Sequence, residues 1–227
     1  MIRLLAAGLA LALAGGIPSS LKGRELDHLY TRKKEVVLTL DAGGDAVGAW
    51  RILRTLHRKQ IVATFFLTGR WVDHNPGLAR FIGKRYPVAN HTYSHLPMTR
   101  LSDAAVVHQI TSAAQAIRRR TGRDPRPLFR FPYGDSNSRV VAIANDLGYI
   151  SIRWTVDTLG WMGGAHQSVP GAIRRVVENL RPGAIILMHV GSAGDVDRST
   201  IDSHALPGVI DAVRRRGYSF TTFPAGW

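Results

Sequence analysis

The 227 residues include no cysteine. Disulfide frameworks, thiolate zinc sites, cysteine nucleophiles and lipid attachment through an N-terminal cysteine are thereby excluded. No G-x-S-x-G stretch occurs either, which disfavours the strained serine elbow of the serine hydrolases. Acidic side chains are scarce: 16 Asp and Glu stand against 30 Lys and Arg, a formal net charge of +14. Long apolar runs are lacking too. The one candidate, Leu4 to Gly16 behind Met1-Ile2-Arg3, is too short for a secure membrane span. With small residues at Gly15, Gly16, Ser19 and Ser20 it reads as a charged n-region and an apolar h-region. Residues 1–22 are therefore expected to be a signal peptide or an N-terminal anchor, and the protein to be secreted or attached to the cell envelope.

What is present describes one globular domain, expected over residues 35–224. The chain is 45% apolar and 20% charged, the balance of an ordinary folded protein. Arginine carries most of the positive charge, since lysine appears only at positions 22, 33, 34, 59 and 84. The runs Arg118-Arg119-Arg120 and Arg214-Arg215-Arg216 fall near the ends of predicted helices, where cations complement the helix dipole. The remaining excess favours electrostatic association with an anionic cell envelope; nucleic acid is not an expected partner.

Short β-rich runs alternate with amphipathic stretches. The pattern predicts strands at 36–40, 63–67, 87–90, 128–131, 150–154, 184–188 and 219–223. Helices are predicted near 46–59, 76–85, 102–120, 136–147, 170–180 and 204–216. Val36-Val37-Leu38-Thr39-Leu40 and Ala184-Ile185-Ile186-Leu187-Met188 are nearly unbroken apolar runs, as parallel strands buried on both faces require. Seven strands alternating with six helices indicate the α/β class, a barrel or a doubly wound sheet.

The unusual polar residues gather at the strand ends. Asp41, His91, Arg130 and His189 end predicted strands, and Asp157 closely follows one. In parallel α/β barrels that face carries the active site. His91 and His95 are four apart, so one helical turn would put both rings on one face, within reach of a single ion. Neutral imidazoles suit zinc and related ions. Asp135 is expected to cap the helix that follows it. The Gly- and Asp-containing loop at 191–197 either shapes a groove or is a plain connection.

Five ordered segments resemble the polysaccharide deacetylases of the NodB-homology type, carbohydrate esterase family 4. They are Thr39-Leu40-Asp41-Ala42-Gly43, His91-Thr92-Tyr93-Ser94-His95, Arg130-Phe131-Pro132-Tyr133, Asp157-Thr158-Leu159-Gly160-Trp161 and Leu187-Met188-His189. The resemblance runs from about Glu35 to Phe223. It implies a distorted (β/α)7 barrel and hydrolysis of N-acetyl groups on a glycan such as peptidoglycan or a chitin-like polymer. It also implies a divalent metal as cofactor, with Zn²⁺ the first choice. In that pattern Asp41 is the general base acting on a metal-bound water, His91 and His95 are metal ligands, and His189 protonates the leaving amine. Arg130 orients Asp41 and keeps it ionised, the region of Tyr133 offers a backbone N–H to the oxyanion, and Trp161 and Leu187 wall the acetyl pocket.

Two positions depart from the family's pattern. Ala42 stands where a second aspartate, a metal ligand, is usual. Three readings stay open: Asp45 supplies the missing ligand, Asp41 itself ligates, or the protein is a weakened carbohydrate-binding relative. Gly160 also replaces a usual aspartate, which leaves Asp157 as the expected partner of His189.

Overall fold

The computed structural model describes residues 17–192, 200–225 and 227. Residues 1–16 of the expected leader therefore lie outside the described residues, as does most of the loop at 191–197. Within them the chain builds a nine-stranded, all-parallel sheet. Its strands are β1 (Glu25–Leu26), β2 (Glu35–Ala42), β3 (Thr64–Leu67), β4 (Val88–Asn90), β5 (Leu128–Phe129), β6 (Ile150–Ile152), β7 (Val156–Asp157), β8 (Ile185–His189) and β9 (Ser219–Thr221). The order across the sheet is β1-β6-β5-β4-β3-β2-β8-β7, with β9 against the start of β2. Around it lie α1 (Ala49–Lys59), α2 (Gly69–His74), α3 (Pro76–Gly83), α4 (Asp103–Thr121), α5 (Ser138–Asp146), α6 (Val169–Glu178) and α7 (Ile201–Arg215).

Strand alternation divides the apolar side chains into layers. Val36, Leu38 and Leu40 of β2 pack outward with Ile52 and Leu56 of α1 and Val209 of α7. Val37 belongs to a second cluster with Phe66, Ala89, Leu128, Ile150 and Ile185, which fills the interior of the curl. Thr39 and Asp41 follow Val37 at the same period of two, so the polar end of β2 continues an inward-facing row. Full burial of each large aliphatic side chain contributes roughly 1.5–3 kcal/mol, and this core fixes the strand ends that carry the site.

Each of the seven expected strands has its counterpart. The two additional strands, β1 and β7, have two residues each, too short to display a period. The expected strand at 150–154 stops at Ile152, and the chain resumes extended pairing only at Val156. β6 pairs with β5 and β7 with β8, so this bend curls the sheet toward a barrel. An antiparallel bridge from His28 to Ala184 lies across the seam. Helix ends follow local chemistry. The Ser102 hydroxyl accepts from the Ala105 N–H, Gly122 closes α4 at φ +73°, and Arg118, Arg119 and Arg120 occupy its last turn.

Candidate active site

The C-terminal ends of β2, β4, β5, β7 and β8 open into a cavity of about 490 Å³. Its lining includes Asp41, His91, His95, Tyr133, Asp157, Trp161, Leu187 and His189. Asp41 and His189 are directly paired across neighbouring strands β2 and β8. The strand register thus assembles side chains separated by nearly 150 positions.

Asp41 sits at the floor. Its Oδ1 accepts from Arg130 Nη1 at 2.5 Å, and its Oδ2 lies 3.4 Å from His91 Nε2. Arg130, 1% exposed, also donates to Thr39 Oγ1 and to the carbonyls of Ile152 and Arg153, and stacks on Phe66. A buried guanidinium with each edge engaged has one orientation available. Burial raises the Asp41 carboxyl, but the charges of Arg130, His91 and His189 outweigh it and hold the group below its ordinary value. Asp41 is therefore ionised at neutral pH.

The histidine pair is not helical. Residues 91–95 form a loop in which Thr92 and His95 take left-handed φ values of +64° and +60°. The helical-turn expectation is corrected here: two backbone reversals, not a 3.6-residue period, bring the rings together. The Thr92 N–H bonds to the buried Asn90 side chain, and the Tyr93 and Ser94 N–H groups bond to Gln109, which keeps the loop off helical geometry. His91 Nδ1 lies 2.8 Å from the Arg130 carbonyl, and so donates to it as the Nδ1–H tautomer. This leaves the Nε2 lone pair of His91 facing His95 Nε2 at 3.1 Å. Burial lowers His91, and burial followed by the neighbouring His91 charge takes His95 down to about 3. Both rings are neutral under physiological conditions, the form that ligates metal.

Two ligands about 2.0–2.1 Å from a tetrahedral zinc lie roughly 3.3 Å apart, so the spacing of this pair fits a shared ion. Among the described residues, the carboxylate oxygen placed beside this pair is Asp41 Oδ2, 3.4 Å from His91 Nε2. Among the described residues, no group of three or more His, Cys, Asp or Glu side chains is arranged as a metal site. Ala42 packs in the outer apolar layer. The Asp45 carboxylate accepts from the Val47 N–H and from the N–H and hydroxyl of Ser192, and is absent from the cavity lining. The structure thus does not bring Asp45 to the histidine pair.

On the opposite wall His189 ends β8. Asp157 Oδ1 is 3.9 Å from His189 Nδ1, beyond hydrogen-bonding distance. Its oxygens instead accept from the Leu159 N–H at 2.7 Å and Trp161 Nε1 at 3.2 Å. A residue that sequence reasoning missed lies nearer. Asp202, in the first turn of α7, places Oδ2 2.7 Å from the His189 N–H and 3.4 Å from Nδ1. Burial lowers His189, but the Asp202 hydrogen bond and the charges of Asp157, Asp202 and Asp41 leave it raised. An acid in a helix's first turn ordinarily reads as dipole chemistry. With the helix expected only from position 204, nothing singled Asp202 out.

The walls are aromatic. The exposed Tyr133 ring meets His95 edge-on at 4.6 Å, and Trp161 approaches His189 at 6.4 Å. Tyr133 and Leu159 share the left-handed φ of +60° with His95. Such backbone strain in non-glycine residues clusters at functional sites and persists only where packing enforces it. Asp135 is not a helix cap: it binds the Thr99 N–H and hydroxyl, while Asn137 caps α5.

A parallel curled sheet whose strand ends unite a buried Asp–Arg pair, two neutral histidines and a carboxylate-backed histidine defines a hydrolase-type α/β barrel. Residues 28–152 match the family model described as polysaccharide deacetylase, and the chain belongs to that family. It is 31% identical to a chitooligosaccharide deacetylase of Bradyrhizobium sp. (strain ANU 289), over 84% of this chain and 90% of that one. It is 32% identical to the peptidoglycan-N-acetylglucosamine deacetylase PgdA of Listeria monocytogenes, over 91% of this chain but 41% of that protein. The solved structure of BA3943, a CE4 family pseudoenzyme from Bacillus anthracis, superposes with a TM-score of 0.80 at 30% identity, covering 89% of this chain and 68% of that one. The expected distorted (β/α)7 architecture is thus shared with solved relatives.

Proposed function

We propose that this protein is an extracytoplasmic, metal-dependent hydrolase that removes acetyl groups from N-acetylated amino sugars of a peptidoglycan or chitin-like glycan. The observation that carries the reading is the meeting of a base, an acid and a neutral imidazole pair in one aromatic-walled cavity. Asp41, ionised and fixed by Arg130, accepts a proton from water as its oxygen adds to the acetyl carbon. The Tyr133 backbone N–H faces the oxyanion, a donor worth about 3–4 kcal/mol when preorganised. His189 gives its proton to the nitrogen as the C–N bond breaks, releasing acetate and a free amine. A positioned base or acid contributes about 10²–10⁴-fold. His91 and His95 would hold the divalent ion, whose chemistry is to acidify water and polarise the carbonyl. Trp161 and Tyr133 present rings to the sugar, and Leu187 limits the pocket to an acetyl-sized group. The positive surface favours retention at an anionic envelope.

A second reading has a specific support: Ala42 stands where the family's pattern has a ligand and, among the described residues, no group of three or more His, Cys, Asp or Glu side chains is arranged as a metal site, which suits a glycan-binding relative with weakened catalysis. Acetate release from N-acetylglucosamine oligomers and from peptidoglycan, assayed after chelation and again with added Zn²⁺, separates the two. Release restored by the ion and lost in Asp41→Ala supports the enzyme. Glycan binding with no acetate at any metal concentration supports the binding relative.

A further inference from the structure

We propose that Asp202 is the positioning residue for His189, and that it does this from the room left by the missing side chain at Gly160. The inference rests on the hydrolytic reading above and extends it to a residue outside every strand-end motif. Asp202 is 3% exposed and touches His189 twice through one oxygen, at the backbone N–H (2.7 Å) and at Nδ1 (3.4 Å). Asp157 stands off at 3.9 Å with its oxygens committed to Leu159 and Trp161. A Cβ built on Gly160 would lie 2.2 Å from Asp202 Oδ1 and 2.3 Å from Cγ. A side chain at 160 and this carboxylate therefore exclude one another. Gly160 has no positive φ, so its backbone does not itself require glycine. The other carboxylate oxygen, Oδ1, is buried without a hydrogen-bond partner among the described residues. That placement makes sense for a group held beside His189 and not for a plain helix cap.

The consequence is a division of labour between the two acids. Asp202 accepts from Nδ1–H and fixes the imidazole so that Nε2 is the nitrogen left to the cleft. From there the proton passes to the leaving nitrogen, which receives the electron pair of the broken C–N bond, while the water-derived oxygen stays on acetate. Asp157 holds Trp161 against the same histidine.

The test compares Asp202→Asn with wild type, zinc added, on two substrates. An N-acetylglucosamine oligomer has a leaving nitrogen that must be protonated; para-nitrophenyl acetate releases a phenolate that need not be. The expected result is a kcat loss of about 10–100-fold on the amide, as for other residues that orient a reacting group through a second contact. KM on the amide and turnover of the aryl ester stay near wild type. The reciprocal pair is decisive. Gly160→Asp alone falls like Asp202→Asn, whereas Gly160→Asp combined with Asp202→Gly regains amide turnover, its carboxylate arriving from the other side.

Equal loss on both substrates with a lowered Tm would show a merely structural role and overturn the proposal. So would unchanged amide turnover in Asp202→Ala, which removes the accepting oxygen altogether. Should wild type release no acetate from either substrate, the hydrolytic reading fails and ¹⁵N NMR still decides the positioning. An Nδ1–H tautomer at His189 that is present in wild type and lost in Asp202→Ala, which removes the accepting oxygen, supports it, and the same tautomer in both overturns it.

Discussion

Ala42 and Gly160 stand on the two sides of the cleft where the resemblance implies a carboxylate, and their surroundings differ. On the histidine-pair side, Ala42 packs into the apolar layer and the loop acid Asp45 is tied to Ser192. On the His189 side, Gly160 makes way for Asp202 from α7. The difference follows from what a carboxylate on each side has to do. A metal ligand must approach to about 2.0–2.2 Å along a fixed direction. An orienting carboxylate needs one hydrogen bond to Nδ1, and a helix packed beside the strand can deliver it.

The largest effect is expected where the two sides meet. Asp41→Asn should cut acetate release by about 10²–10⁴-fold, since it removes the base. It should also cost roughly 3–5 kcal/mol of stability, because Arg130 is left buried without its counter-charge. Urea denaturation reads the second effect independently. Full stability with lost activity would mean that the Asp41–Arg130 pair serves chemistry alone.

Next in size is the effect on the histidine-pair side. Outer-shell partners alone are worth about 10–100-fold in metal affinity. Restoring a direct ligand with Ala42→Asp should therefore tighten zinc binding at least about tenfold by calorimetry. Without metal the same variant should be less stable by roughly 1–3 kcal/mol, the cost of burying a polar group. Unchanged zinc affinity would show that position 42 no longer aims at the histidine pair.

How much of this was legible in the chain depends on the kind of constraint. Strands β2 and β8 announce themselves because burial on both faces demands continuous apolar residues, and their terminal Asp41 and His189 break those runs. β1, β7 and α2 are too short for any period to show. The His91–His95 spacing pointed to two rings that do meet, but by the wrong geometry, since the i, i+4 interval is equally met by a loop with two left-handed residues. Asp202 was invisible for a different reason. Its partner is 13 positions away across a loop, and only packing of α7 on β8 reveals that Gly160 and Asp202 share one space.

The histidine side also has an acid-sensitive element that the His189 side lacks. Burial, and then the neighbouring His91 charge, hold His95 down to about 3 in the fold, whereas an unfolded histidine titrates near ~6.5. As pH falls through that window the unfolded chain binds a proton that the native chain refuses, so stability falls with it. Chelator-treated wild type should lose stability steadily between about pH 6.5 and 4, and His95→Gln should flatten that slope. An identical slope in the variant would assign the sensitivity elsewhere.

The smallest effect sharpens the His189 side. In Asp157→Asn one amide oxygen remains to accept a hydrogen bond, but the NH₂ faces another donor, either the Leu159 N–H or Trp161 Nε1. One ordinary hydrogen bond is worth about 0.5–1.5 kcal/mol, so loosening Trp161 should raise KM for an N-acetylated oligomer roughly 2–10-fold. Turnover at saturation should hold, because Asp202 still fixes His189. Steady-state kinetics resolves the two constants. A variant that kept KM and lost kcat on the amide would return the orienting role to Asp157.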